Sequence, residues 1–426
     1  MCDSVVATGS HTRSGATLFG KNSDRKAGEC QPFVQFPEAW YPSGARVRCT
    51  HIEIPQVPHS YRVMGHKPWW VFGFEHGINE HALAIGNQAV FSREAPEETP
   101  GLIGMDLLRL ALERARDRHE AVDCITTLLE THGQGGAGFA PDAAGYHNSF
   151  NIADPSGACF LETSGRHWVV REVECDGLSN HLCTDASWDR ASEGFERATR
   201  EAGYWDEEGR VHVERALRNP HVPPRLSDGR LARSRALLAR GDGALDSATI
   251  TNLLRDHGEG NAVPPEGLGL EDDAFFTLCV HHDPPGPTTA SMISELPADP
   301  STPWPVWVSF AVPCSGVFLP VYLDATLPAA MASGSHDEAD APDSLWWIFQ
   351  RLEHAAASDR ARHIPWLREQ WAPFEAEVET ERRAVEDKAA QAGDREAAAA
   401  LLTDFVSDIT ARAAKHAQDF TAAITR

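Results

Sequence analysis

Met1-Cys2-Asp3-Ser4-Val5-Val6-Ala7-Thr8-Gly9, followed after a turn by Leu18-Phe19-Gly20-Lys21-Asn22-Ser23-Asp24-Arg25, is the stretch that decides the fold. Ser4 to Gly9 reads as a strand, Ser10 to Gly15 as a turn and Ala16 to Gly20 as the returning strand of a hairpin. A hairpin of that shape brings Lys21, Asn22 and Asp24 back to the neighbourhood of Cys2. A cysteine in second position is small enough for methionine aminopeptidase to act beside it. Loss of Met1 would leave one residue carrying both a thiol and a free α-amine, a nucleophile with its own base. The plainer reading of the same position is an incidental core or surface cysteine.

Outward from this hairpin, the chain to about residue 66 is rich in Pro, Gly and polar residues and reads as loops with short strands over the site. Trp69 to Phe74 is an aromatic strand candidate. A turn containing Gly77 and Asn79 follows, with Ala82 to Gly86 as the partner strand. Leu102, Met105, Leu108 and Leu112 recur at helical spacing and predict a helix over 102–119. A second spans 120–130 and stops at Gly133-Gln134-Gly135-Gly136. Residues 149–153 and 158–163 read as a strand pair turning at Asp154-Pro155-Ser156-Gly157, with 167–173 as a third strand. Helices are expected over 190–220 and 228–257, the latter as Arg230 to Arg240 and Ser247 to Asp256. Strand character returns at 275–281, 289–293, 304–312 and 317–321. Beyond about 325 a loop leads to Ser344-Leu345-Trp346-Trp347 and a helical tail, its first half broken by Pro365 and Pro373. Strands early and late with helices between predict two sheets covered by helices rather than a βαβ alternation.

The chain has 426 residues, 42% hydrophobic and 23% charged, as in a folded globular protein. A formal charge of −24 opposes binding to nucleic acid or an anionic membrane surface. No signal-peptide pattern and no apolar run of spanning length is present, so a cytoplasmic location is expected. Nine cysteines, an odd number without a disulfide-like rhythm, fit reduced thiols.

Cys2-Asp3-Ser4 with Gly20 to Arg25 and Glu29-Cys30-Gln31 resembles the start of the secernins and their bacterial cysteine-dipeptidase relatives, a branch of the N-terminal nucleophile hydrolases. The resemblance continues, in order, at Gly77 to His81, Gly86 to Phe91, Gly104 to Leu107, Gly133 to Gly136 and Tyr146 to Phe150. It persists at Leu178-Ser179-Asn180, Thr288 to Met292 and Ser344 to Trp347. It implies an α+β fold: a four-layer αββα sandwich over residues 2–335, with a C-terminal helical extension over 340–426. It also implies amide-bond hydrolysis, with dipeptidase activity attributed to the bacterial relatives. The related bile-salt hydrolases and penicillin V acylases carry a Cys, a basic residue, an Asp and Asn residues at similar places. Matching by motif puts these at Cys2, Lys21, Asp24, Asn87 and Asn180. Where those acylases have Arg, this chain has Lys21, a point charge rather than a planar fork.

The chemistry this implies is attack by the Cys2 thiolate on a scissile carbonyl, with the α-amine as proton shuttle, and hydrolysis of the resulting thioester. Lys21 would lower the thiol pKa and Asp24 would hold the amine; an ordinary turn ion pair is the alternative for both. Asn87 and Asn180 are candidates to donate to the oxyanion, against capping roles. Arg233, or its neighbour Arg235, falls in a helix where relatives carry a basic residue near the site. The expected substrate is a small peptide or acyl amide, with no nucleic acid, membrane or cofactor, and homo-oligomerisation is left open. Acyl transfer to an amine and a catalytically silent, secernin-like interaction protein are the alternatives. His281-His282-Asp283 and the group Cys175, His181, Cys183 invite a metal reading. Neither supplies four ligands at a known spacing, so no metal is expected. The pairs Trp69/Trp70 and Trp346/Trp347 read as core, with the first pair also a candidate pocket lining.

Overall fold

A computed structural model describes residues 1–140, 143–264, 268, 270–272, 275–282 and 286–426. The opening hairpin forms from β1 (Cys2–Ala7) and β2 (Thr17–Asp24), with Cys2 opposite Ser23 and Ser4 opposite Lys21. Short strands β3 (Phe33–Phe36), β4 (Ala39–Trp40), β5 (Arg46–Arg48), β6 (Glu53–Pro55), β7 (His59–Ser60) and β8 (Val63–His66) follow, then β9 (His76–Asn79) and β10 (Ala84–Val90). Helices α1 (Gly104–Leu112) and α2 (Arg118–His132) precede the meander β11 (His147–Asp154), β12 (Gly157–Ser164), β13 (His167–Val173) and β14 (Cys175–Leu178), with β15 (Arg190–Ala191) on its edge. Next come α3 (Phe195–Glu201), α4 (Val213–Leu217), α5 (Asp228–Arg240), α6 (Ser247–Leu254), β16 (Thr288–Leu296), β17 (Val306–Phe310) and β18 (Leu319–Val321). The chain ends in α7 (Ala329–Ala332), α8 (Leu345–Ala356), α9 (Arg360–Ala390) and α10 (Arg395–Ile424).

Among the described residues the strands assemble into two large antiparallel sheets, β14-β1-β2-β16-β17-β18 and β15-β13-β12-β11-β10-β9-β8-β3. Helices α5 and α6 cover the outer face of the first sheet, where Val5, Ala7, Leu18 and Ile293 meet Leu238, Ile250 and Leu254. Helices α1 and α2 cover the second, where Leu107, Leu108 and Leu129 meet Ile85, Phe150 and Leu161. Between the sheets lie Val6, Phe19 and Met292 from one and Met64, Ile78, Ala84 and Phe160 from the other. The molecule is therefore a four-layer αββα sandwich with a helical C-terminal extension. The same central core runs on into that extension through Trp346, Phe349, Trp371, Leu402 and Ile409.

The period-two alternation of a strand distributes the site residues. Val5 faces the helices and Val6 the opposing sheet, so Cys2 and Ser4 share the inner face while Asp3 turns outward. On β2, Lys21 falls on the inner face with Phe19, and Gly20 faces Ile250 outside. Asn22 and Asp24 accordingly lie on the helix-covered side.

Several expectations are corrected. Trp69 to Phe74 forms no strand; the second hairpin is β9 with β10 and turns at 80–83. Gly77 is inside β9 because the Phe74 ring crosses there: a Cβ would lie 2.9 Å from that ring and 2.7 Å from the Met64 carbonyl oxygen. The 190–220 helix is two short helices joined by loops, and 275–281 forms no strand. Pro365 and Pro373 sit inside the continuous helix α9. Each costs about 3 kcal/mol in a helix interior, offset here by the buried face Ile364, Leu367, Trp371, Phe374 and Val378. No helix among the described residues is long and apolar enough to cross a membrane.

Candidate active site

Cys2 is 5% exposed, its side chain between the sheets at the end of β1. Its main-chain nitrogen donates to Asn180 Oδ1 at 2.7 Å. That nitrogen is here the amide joining Cys2 to Met1, and it stands where an α-amine would be after Met1 is lost. Asn180 lies just past the end of β14, the strand paired with β1. Its amide nitrogen donates to the Ala89 carbonyl at 2.8 Å, so the side chain is locked with its oxygen toward Cys2. Asn180 therefore holds the Cys2 nitrogen through its oxygen, with an amide N–H engaged by Ala89.

Lys21 is fully buried. Its Nζ lies 3.6 Å from Glu75 Oε2 and 3.5 Å from the Asn22 carbonyl oxygen. The same Glu75 oxygen is 3.9 Å from Cys2 Sγ. Burial pushes the thiol pKa up, Lys21 pulls it down and Glu75 pushes it up again, for a net rise. The resting group is thus a thiol that needs a base beside it. Beneath Lys21, His66 and His76 are in contact, Nδ1 to Nε2 at 2.9 Å. Burial, then neighbouring charge, keeps both rings neutral, His66 down to about 3.

Asp24 faces the first residue rather than the second. Its N–H donates to the Met1 carbonyl at 2.9 Å, and the Met1 amine donates to its carbonyl at 3.1 Å. One carboxylate oxygen accepts from Thr288 Oγ1 at 2.7 Å; the other is buried with no hydrogen-bond partner. Burial pushes this carboxyl up, against the pull of the chain's amine and Arg230. Arg230, 3.7 Å from that second oxygen, balances its charge without hydrogen-bonding it.

Two proposed positions are corrected. Arg233 does not reach Cys2: its guanidinium is spent on Asp256 at 2.7 and 2.8 Å and on the Gly258 carbonyl. Arg235 binds Asp176. The arginine that reaches the site is Arg230, on the buried face of α5 with Leu231, Ser234 and Leu238. It pairs with Asp3, donates to Asn180 Oδ1 at 2.8 Å and reaches the Cys2 carbonyl at 3.4 Å. Asn87 points away from Cys2. It pairs across the sheet with Phe150, an outer-core residue, and its amide donates to Asn148 Oδ1 and the Ser149 carbonyl at 3.0 and 3.3 Å. Its neighbours on the inner face are Gly86, which packs on Lys21, and Gln88, which donates to Ser4 Oγ.

Sequence reading also missed Glu75. Its oxygens bridge Cys2 and Lys21 to Arg25, whose NH1 is 3.1 Å from Glu75 Oε1. Arg25 further grips Glu29 through two bonds of 2.7 and 2.8 Å and the Phe139 carbonyl at 3.1 Å. The two carboxylates outweigh burial and hold the Arg25 pKa above its ordinary value. Trp70 Nε1 donates to Glu29 at 2.6 Å, so one of the paired tryptophans belongs to this network; Trp69 stacks by His336 instead. Tyr146 lies near enough to feel Arg25, Glu75 and Cys2, and burial raises its phenol.

His181 binds Ser227 and Cys183 N–H binds Glu162; His282 stacks on Phe275, and Asp283 lies outside the described residues. His281 belongs to a different set, taken up below.

No protein-family model matches the chain. Among solved structures it is similar to penicillin V acylase from Agrobacterium tumefaciens, with 15% identity over 75% of this chain and 85% of that one, at a TM-score of 0.43. It is also similar to a mutant of conjugated bile acid hydrolase from Clostridium perfringens, with 11% identity over 73% and 89% and a TM-score of 0.42. The Caenorhabditis elegans ortholog of N-acylethanolamine-hydrolyzing acid amidase gives 10% identity over 70% and 94%, at 0.30. At such values the functional reading rests on this chain's own residues.

Proposed function

We propose that this protein is an N-terminal-cysteine amide hydrolase acting on small peptides or acyl amides, with dipeptides the foremost substrates. The observation that carries this reading is the setting of the Cys2 nitrogen. It sits 2.7 Å from Asn180 Oδ1, one residue from the Met1 that Asp24 holds through its main chain, and the second carboxylate oxygen of Asp24 accepts no hydrogen bond, with Arg230 3.7 Å away. A peptide amide has one hydrogen to give and uses it on Asn180. An α-amine, exposed by loss of Met1, has more, and keeps hydrogens free for proton transfer while Asn180 holds it.

With Met1 gone, the α-amine takes the Cys2 proton as Sγ attacks the substrate carbonyl carbon. Lys21 supplies the positive charge that favours the thiolate. The amine then returns the proton to the leaving nitrogen as the C–N bond breaks, leaving a thioester. Water, deprotonated by the same amine, attacks the thioester and releases the acid and the thiol. Glu75, in contact with both Sγ and Lys21, keeps that charge aimed at the sulfur. Arg230 fixes Asn180 and the Cys2 carbonyl from the opposite face. A thiol this enclosed favours slim substrates over folded chains.

The test is a dipeptide and acyl-amide library assayed with the processed protein, Cys2→Ala and Cys2→Ser, beside intact-mass spectrometry of the mature chain. The reading expects Met1 to be absent, activity in the parent, and its loss in both variants. Retained Met1 in an active preparation, or undiminished turnover by Cys2→Ala, would overturn it.

A further inference from the structure

On the far side of β2 from the Cys2 thiol, His257, Cys279, His281 and Cys314 converge, all buried, with one potential ligand atom of each within 4.8 Å of every other. They come from the end of α6, the irregular segment after residue 275 and the turn after β17, so no local spacing announces them. His281 Nε2 is 3.1 Å from His257 Nε2, 3.3 Å from Cys314 Sγ and 3.8 Å from Cys279 Sγ. A ring nitrogen has one in-plane lone pair or one N–H. It can serve one of three such neighbours as a hydrogen-bond partner, not all of them.

The spacings have another explanation. A tetrahedral zinc ion with Zn–N near 2.0–2.1 Å and Zn–S near 2.3 Å sets its ligand atoms about 3.3–3.8 Å apart along the edges. The three separations at His281 fall on or close to that range. Two thiols and two imidazoles are also the donor set that favours zinc, with four protein ligands and no open position. The surroundings fit as well: the other ring nitrogen of His281 faces Glu353 Oε1 at 3.4 Å, which Arg360 approaches at 3.3 Å. A carboxylate on the far nitrogen is the usual device for fixing the tautomer and orientation of a ligating histidine.

We propose that His257, Cys279, His281 and Cys314 bind a structural zinc ion that clamps the segments following α6 and β17 to each other and, through Glu353, to α8. This revises the expectation that His281 takes part in no metal site: the ligands are His281 with three distant residues, not His281-His282-Asp283. The ion takes no direct part in the amide chemistry, its effect there being confined to fixing the segment behind Asp24, and the proposal stands whether or not Cys2 is a nucleophile.

Elemental analysis of the full-length purified protein tests it. The expected result is about one zinc per chain, released in step with thiol titration of Cys279 and Cys314. Replacement by cobalt(II) should give the thiolate charge-transfer and tetrahedral visible bands. Cys279→Ser and Cys314→Ser should lose most of the metal and melt earlier. Since those variants can fail to fold for other reasons, His257→Cys provides a second measure: it should keep the metal and move the cobalt spectrum toward a three-sulfur set. Parent protein that is fully folded without metal and melts at an unchanged temperature with zinc or chelator added would overturn the proposal. So would a mass lighter by two hydrogens that reports a Cys279–Cys314 disulfide.

Discussion

Arg230→Ala is the most informative single change in the protein. The guanidinium is fully buried and ties Asp3, Asn180, the Cys2 carbonyl and the Leu226 carbonyl into one unit. Its removal leaves Asp3 and, 3.7 Å from the same nitrogen, Asp24 as uncompensated buried carboxylates. Breaking a buried ion pair from one side costs about 3–5 kcal/mol. Arg233→Ala, one turn along the same helix, removes hydrogen bonds to Asp256 from a guanidinium that is 22% exposed, worth about 1.5–3 kcal/mol. Urea unfolding of the two variants should therefore differ clearly. Acyl-probe labelling of Cys2 separates them further: Asn180 loses its clamp in Arg230→Ala and keeps it in Arg233→Ala. Arg230→Lys restores a charge but cannot span Asp3, Asn180 and Leu226 together, so it should fall between Arg230→Ala and the parent. Equal destabilisation by the two alanine variants, or unimpaired labelling in Arg230→Ala, would refute the placement of Arg230 at Cys2.

Two further outcomes follow from contacts around the site. Gly86→Ala would put a Cβ 2.6 Å from Lys21 Cδ and 3.0 Å from the Phe19 ring; overpacking of that kind costs about 1–3 kcal/mol. Turnover should drop while the circular dichroism spectrum is kept, and unchanged kcat and melting temperature would count against Lys21 as the thiolate's partner. Asp106, buried at the start of α1 with Thr50 donating to both oxygens, has its carboxyl pushed by burial to about 6. A folded-state pKa raised from near 3.8 to about 6 favours the protonated acid by roughly 3 kcal/mol, a contribution present in acid and lost as pH rises through 6. Asp106→Asn removes the ionisation, so parent-minus-variant stability should fall between pH 4 and 7; a flat difference would contradict the raised value.

The opening hairpin was legible because strand, turn and strand are encoded locally, and its register pairs Cys2 with Ser23, the residue between Asn22 and Asp24. Asn87 shows the limit of such reading. A motif fixes a residue's place along a strand, but the face it takes depends on pairing with Phe150, which lies far away in sequence. Arg230 was recoverable in principle: Leu231, Ser234 and Leu238 mark the buried stripe of α5, and of its four arginines Arg230 alone is buried with it. Glu75 had no such signal. It sits in an irregular stretch held by its N–H on the His66 carbonyl and its carbonyl on Asn87 N–H, contacts that exist only once the second sheet has formed. Pro365 and Pro373 misled for a related reason, since local propensity was outweighed by Trp371, whose indole also reaches the Ser315 carbonyl.

The two faces of β2 do different work, and this connects the surroundings of Cys2 to the buried histidine–cysteine cluster. Lys21 and Ser23 project between the sheets, toward Glu75 and Gln31. Asn22 and Asp24 project the other way. The Asn22 amide donates to the Leu254 and Leu278 carbonyls at 2.9 and 2.8 Å, and Thr288 Oγ1 donates to Asp24 while accepting from Val280 N–H at 3.1 Å. Leu254, Leu278 and Val280 flank His257, Cys279 and His281 within three residues in the chain. Asp24 is thus aimed by a segment with few regular hydrogen bonds of its own, and such a segment holds a carboxylate steady only if its ends are fixed. A four-ligand clamp at His257, Cys279, His281 and Cys314 provides that fixing, which gives a physical reason for the cluster to lie behind the strand that carries Lys21 and Asp24.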